Sequence, residues 1–335
     1  MIPLNPTIKI IAAVPRRGAA LLLAPLFALM VLGSIYGCAA VKRPTMPMVR
    51  IEGTKRPYFA GQILDIGHQE VMEYSGLVHR LAQADVVFIG ETHDNPDHHL
   101  IQVQLLQSLL EKWGKLTLAV EFLPYEMQPI IDRYMAGAIS EKDFLHQVEW
   151  RQTWGFDYHF YRPLLQLVKL RGGHVIAINA PQKLVKKVAK DGLDSLGPAE
   201  RGLLPREIDL TDKAHREYLR EIYGSHAHEK LKKFEFFYEA QCVWEETMAE
   251  HVADYLERKK GKIVVICGSG HIYYDFGIPK RLRRRCGART ATLIPYPVGR
   301  EATIKRNIAN FLWLTGKYFP RGHMGRHDKG SARPL

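Results

Sequence analysis

Two stretches decide the fold: Val86-Val87-Phe88-Ile89-Gly90-Glu91-Thr92-His93 and Ile263-Val264-Val265-Ile266-Cys267-Gly268-Ser269-Gly270-His271. Each is an apolar, β-branched run that closes on a Gly-x-x-His motif. A third run, Leu116-Thr117-Leu118-Ala119-Val120, closes on Glu121. Runs of this length without polar alternation read as strands buried on both faces, as in parallel sheets. With two similar runs they give five strands, at 85–89, 116–120, 174–178, 263–267 and 290–294. Helical patterns lie between them. That order predicts an α/β fold with a mostly parallel sheet and flanking helices.

In open α/β sheets the ligand site lies beyond the carboxyl ends of the strands. If the three runs are neighbours, Glu91, His93, Glu121 and His271 meet at one rim. A single Gly-x-x-His at a strand end reads equally well as turn chemistry, with glycine for the turn and histidine as a cap. Two copies plus a strand-end Glu favour a shared site, because 178 residues separate His93 from His271. Two imidazoles and two carboxylates suit acid–base chemistry or a borderline divalent metal ion.

The helix after the first strand opens at Asn95-Pro96-Asp97, an N-cap, a first-turn proline and an acid for the helix dipole. Its apolar stripe reads as Leu100, Val103, Leu106 or Gln107, and Leu110. The stretch 122–173 exceeds a plain crossover and concentrates aromatics between Trp150 and Tyr161. It reads as a helical insertion subdomain over the strand C-terminal rim. A second helical insertion covers 183–230, and the two would form a lid or pocket wall. The alternative is an aromatic core beneath a long connection. A helix over 231–257 carries Phe234, Phe237, Gln241, Trp244, Met248, Val252 and Tyr255 on one stripe, with Glu245 at its edge. Gln241 and Glu245 either face the rim or tie down a loop carbonyl.

The first 37 residues read as a secretory signal peptide: Lys9, Arg16 and Arg17, then an uncharged apolar run to Gly37. Cys38 follows, in a pattern resembling a bacterial lipobox, with Tyr36 bulkier than usual. Lipidation at Cys38 would tether the chain to a membrane, and Ala39 favours the outer membrane of a double-membrane cell. An uncleaved membrane anchor is the competing reading. Removal of the leader lowers the net charge from +12 to +9, since three cations go and no acid does. Residues 38–59 hold the lipidated Cys and a linker. The main domain runs over 60–298, and 299–335 reads as a C-terminal helix and basic tail. Cys242, Cys267 and Cys286 are an odd set, and spacing alone does not establish a Cys267–Cys286 bridge. The basic run Lys280 to Arg285 reads as a solvated helix face or a patch for anionic lipid, with no nucleic acid as partner.

Together these residues resemble the ChaN-like haem-binding uptake proteins, relatives of the Tiki and erythromycin-esterase group. The resemblance rests on Gly90-Glu91-Thr92-His93-Asp94-Asn95, Ala119-Val120-Glu121, Tyr161-Arg162-Pro163, Ala177-Ile178-Asn179-Ala180-Pro181, the stretch Ala240-Gln241 to Ala249, and Gly268-Ser269-Gly270-His271. It implies haem binding in an iron-uptake system, on an exported lipoprotein. It also implies a metal-assisted hydrolytic ancestry, with Glu91, His93, Glu121 and His271 as catalytic or metal-binding groups and Asn179, Gln241 and Glu245 behind them. Glu245 stands where the family pattern has Asp. Haem needs an apolar slot, an axial ligand and cations for its propionates. Tyr158, His159, Tyr161 and Arg162 are the expected set, with His226 and His228 as a second option. Two functions follow: a membrane-anchored haem-binding protein, or a metal-assisted hydrolase. The expected partners are haem, the membrane through an N-terminal lipid, an outer-membrane haem receptor and a second copy in a homodimer.

Overall fold

The computed structural model describes residues 47–225, 233–299 and 301–317. The signal peptide, Cys38, His226, His228 and the basic tail from residue 318 lie outside the described residues. Among the described residues, no helix is long and apolar enough to cross a membrane.

The elements begin with four short strands, β1 (Met48–Ile51), β2 (Pro57–Phe59), β3 (Ile63–Asp65) and β4 (Glu70–Met72). The five expected strands follow as β5 (Val86–Glu91), β6 (Thr117–Pro124), β7 (His174–Asn179), β8 (Ile263–Gly268) and β9 (Thr290–Val298). The chain ends in β10 (Ala302–Ile304) and β11 (Phe311–Gly316). The large sheet has the order β4-β3-β11-β9-β5-β8-β6-β7. From β11 to β7 its pairs are parallel, and β3 and β4 add an antiparallel margin. β10, β1 and β2 form a separate three-stranded sheet.

The absence of alternation in the strands is explained by a layer on each side. Val87, Ile89, Leu118, Val120, Val264 and Ile266 face helices Tyr74–Ala82, Pro96–Trp113 and Tyr158–Leu170 in one core. Val86, Phe88, Ala119, Val265 and Cys267 face helices Phe234–Lys259 and Ile278–Cys286 in the other. Helix Phe234–Lys259 is therefore buried on most of its circumference, well beyond its expected stripe.

Three expectations change. The segment after residue 299 is strand where a helix was expected, and the linker up to residue 59 contributes β1 and β2. Phe311-Leu312-Trp313-Leu314 is a β-rich run that fills the place between β3 and β9, with Leu312 and Leu314 fully buried. Helix Pro96–Trp113 also turns a different face inward. Its buried side is His98, His99, Ile101, Gln102, Leu105, Leu106, Leu109 and Leu110, and Leu100 is 68% exposed. Asn95 does cap it, accepting from the Asp97 N–H at 3.0 Å. Cys242, Cys267 and Cys286 are free thiols.

Candidate functional site

β8 lies between β5 and β6, and register puts their ends level: Glu91 pairs with Gly268, and Val120 with Ile266. The three runs are neighbours, so the four rim residues come together. Between Val120 and Pro124 the register of β6 on β7 shifts, so Glu121 sits in an irregular stretch within β6. Both motif glycines are needed for this approach. A Cβ at Gly90 would lie 2.6 Å from Ser269 Oγ and 3.0 Å from Ile272 Cδ1. One at Gly268 would lie 3.1 Å from His93 Cε1, 3.3 Å from His93 Nε2 and 3.7 Å from Glu121 Oε2.

Two histidine–carboxylate units result. In the first, His93 Nδ1 lies 2.7 Å from Glu91 Oε1. Glu91 is fully enclosed, and it also accepts from the Tyr161 hydroxyl at 2.7 Å and Gln102 Nε2 at 2.7 Å. Burial alone would raise its pKa, but His93, His99 and Tyr161 outweigh it and hold the carboxyl at about 2. An ionised Glu91 beside Nδ1 orients the His93 ring and leaves Nε2 facing Gly268 and Glu121. Burial pushes the His93 pKa down; Glu91 and Glu121 more than reverse that. The ring is half-buried, with the Trp154 and Phe156 rings 4.7 and 4.9 Å away.

In the second unit, His271 Nε2 lies 3.4 Å from Glu121 Oε1 and Nδ1 lies 3.4 Å from Glu245 Oε1. Burial disfavours its charge, yet the two carboxylates raise its pKa to about 10. His271 is thus a buried imidazolium at neutral pH. Glu121 also accepts from the Gly268 N–H at 2.5 Å. Asn179 Nδ2 donates to the Glu121 carbonyl at 2.6 Å, and Asn179 Oδ1 accepts from the Trp244 indole. Behind Glu245 stands buried Arg281, whose Nε lies 3.3 Å from Glu245 Oε2 and which also pairs with Glu246.

Asn179 and Glu245 therefore support the site, and Gln241 is half-buried with no hydrogen bond to it among the described residues. Gln102, Tyr161 and Arg281 support it too, and sequence reading gave them no such role. The signal for Gln102 was a glutamine amid apolar helix positions. Arg281 sat in a run read as solvated or lipid-facing. That run is instead spent on internal acids: Lys280 on Asp212, Arg281 on Glu245 and Glu246, Arg283 on Asp275, and Arg284 on Asp209.

The expected haem residues do not form a slot. Tyr161 is fully buried and spends its hydroxyl on Glu91. Tyr158 is buried beside Tyr134 and Glu141. His159 is exposed and paired with Asp157, and Arg162 is held 2.9 Å from Glu141. Phe122, Trp150, Trp154 and Tyr161 pack ring on ring at 4.7 to 6.3 Å, which is core packing. Nor does the rim hold three ligand atoms at metal spacing. Among the described residues that spacing occurs at Asp65, His68 and Glu70, in the β3–β4 turn. There Arg80 lies 3.3 Å from Asp65 Oδ2 and supplies positive charge already.

A family model described as haem-binding uptake, Tiki superfamily, ChaN, matches residues 77–282. A solved structure described as cofacial heme binding to ChaN of Campylobacter jejuni superposes with a TM-score of 0.60 at 19% identity, covering 75% of this chain and 95% of that one. An erythromycin esterase in its open conformation gives 0.43 at 11% identity, covering 72% of this chain and 77% of that one. Protein RETICULATA-RELATED 5, chloroplastic, from Arabidopsis thaliana is 23% identical over 263 residues, which is 70% of this chain and 35% of that protein. The chain thus spans about a third of the length of that curated relative.

Proposed function

The chain belongs to the ChaN haem-binding uptake family of the Tiki superfamily, and from that premise we propose that it binds haem at a cell envelope, as part of iron uptake. The observation that carries this reading is the family match across the sheet and its helices, from residue 77 to 282. Its support for export is the basic start and apolar run before Cys38, which suit a cleaved leader and a lipidated mature end. A lipid at Cys38 would hold the protein to the outer membrane, where an outer-membrane haem receptor would be its partner and a homodimer its working form. Haem supplies a ligand-accepting iron, and the protein supplies an axial side chain, an apolar face and cations. Hemin titration of the full chain tests the reading. A saturable Soret shift supports it, and a spectrum that never departs from free hemin refutes it.

A second reading has its own support: the half-open His93 ring, oriented by Glu91, facing Glu121 beside the His271 imidazolium. His93 would act as general base toward a water, and the imidazolium would stabilise developing oxyanion charge in a water-poor site. A divalent ion could join only after these side chains move, since they are paired with one another. An ester-hydrolysis assay checks this reading: His93→Ala should abolish turnover while leaving the melting temperature nearly unchanged. Turnover equal to wild type would end the hydrolase reading.

A further inference from the structure

Away from the rim, a cavity of about 740 Å³ opens along the outer edge of β7. None of Glu91, His93, Glu121 or His271 lines it. The volume falls within the range of pockets that enclose small organic ligands, roughly 300–1,000 Å³. Val175 and Ile176 of β7 wall it, and Met135 and Ala136, at the end of helix Gln128–Met135, add apolar surface. A further wall is the end of helix Phe234–Lys259, where His251, Tyr255, Arg258 and Lys259 recur at helical spacing and so share a face. The strand edge itself is closed to an added peptide, because Gln128 bonds the Val175 carbonyl at 2.9 Å and the Ala177 N–H at 2.8 Å.

Charge in this cavity is unbalanced. Lys169, Arg258 and Lys259 line it against one carboxylate, Asp132, so three cations less one acid leave two positive charges unmatched. Lys169 donates to the Tyr134 carbonyl at 2.6 Å, and Asp132 accepts from Gln128 Nε2 at 2.8 Å. Arg258 and Lys259 make no ion pair or side-chain hydrogen bond among the described residues, unlike the cations of the 280–285 run. Cations at a helix C-terminus answer the helix dipole wherever they occur. The dipole does not account for the imidazole two turns earlier. His251 stacks on Tyr125 with ring centroids 4.4 Å apart, and neither of its ring nitrogens has a hydrogen bond among the described residues. Burial lowers its pKa; Asp254 opposes that and Arg258 adds to it, so the ring is neutral at pH 7 and offers one N–H donor.

We propose that this cavity binds a single-chain amphiphile with a phosphate monoester head: the chain lies against Val175, Ile176, Met135 and Ala136, and the head on Arg258, Lys259 and His251. A phosphate monoester carries about −1.5 to −2 charges at neutral pH and presents three acceptor oxygens. That matches two unmatched cations and one neutral donor beside an apolar wall. The site is independent of the haem reading and of the rim chemistry. Isothermal titration of the full chain with decyl phosphate, below its micelle concentration, tests it. Saturable binding of one molecule per chain is expected. Inorganic phosphate and decanol should each bind at least about tenfold more weakly, since each lacks one half of the ligand. Arg258→Ala with Lys259→Ala, both exposed, should weaken decyl phosphate about tenfold or more, the scale of a lost hydrogen bond to a charged group. Ala136→Trp, at an exposed helix end, should weaken it by filling the cavity while the melting temperature stays that of wild type. Failure of decyl phosphate to saturate the wild-type chain overturns the proposal. So does wild-type affinity in either variant, or inorganic phosphate or decanol bound as tightly as decyl phosphate.

Discussion

At the residue scale, the two histidine units put opposite pH limits on stability. The His271 pKa rises from 6.5 to about 10 on folding, because Glu121 and Glu245 outweigh the cost of burial. Its contribution is complete below pH 6.5 and is lost as pH climbs through 10. The Glu91 pKa falls from 4.5 to about 2, so its contribution is complete above pH 4.5 and is lost as pH falls through 2. Thermal melts from pH 2 to 10 should therefore fall away on both sides of a plateau near 4.5–6.5. His271→Gln should flatten the alkaline limb; an unchanged limb would mean that His271 is not a buried cation. Tyr161→Phe removes one donor from the buried Glu91 carboxylate and should cost about 1–3 kcal/mol in denaturant unfolding. A cost near zero would mean that Tyr161 serves packing alone.

The four rim residues were legible because each sits at the end of a run whose burial pattern is unambiguous. Their supporters were not legible in the same way. Gln102 and His99 made the inward face of their helix look polar, so Leu100 was taken as inward-facing although it is 68% exposed. What makes that polar face buriable is Glu91, to which Gln102 donates across eleven positions of sequence. Such pairings belong to tertiary structure and leave no periodic trace.

At the element scale, the basic helix Ile278–Cys286 is a clamp. Its cations reach Asp209 and Asp212 from the second insertion and Glu245 and Glu246 from the long central helix. Partners some 35 to 75 positions away explain why the charge run read as surface. Arg281→Met should cost about 3 kcal/mol, the low end for breaking a buried pair, since His215, His271 and Arg284 still face the two acids. Unfolding by urea measures it, and a neutral outcome would show that the acids take up protons instead. At the β7 edge of the large sheet, Gln128 occupies hydrogen-bonding groups of the strand. Gln128→Ala should raise self-association in analytical ultracentrifugation, because an unpaired strand edge templates pairing. A monomer–dimer balance identical to wild type would show that the neighbouring helix protects the edge unaided. The five central strands were readable because burial on both faces writes an unbroken apolar run. β1–β4 and β10 were not, being three or four residues each, too short to show a period.

At the scale of the whole molecule, the sheet brings its buried histidines and carboxylates to the carboxyl ends of β5, β6 and β8. The rim gathers ionised groups that satisfy one another. The proposed anchoring would be a separate property of the apolar run and Cys38. Cys38→Ala should release the protein from the membrane fraction without altering hemin affinity, and retention in that fraction would point to an uncleaved apolar anchor. The most direct test of the central claim is a hemin titration of the wild-type chain, followed at the Soret band. The account predicts a saturable shift. A wild-type spectrum that stays that of free hemin at every protein concentration would contradict it.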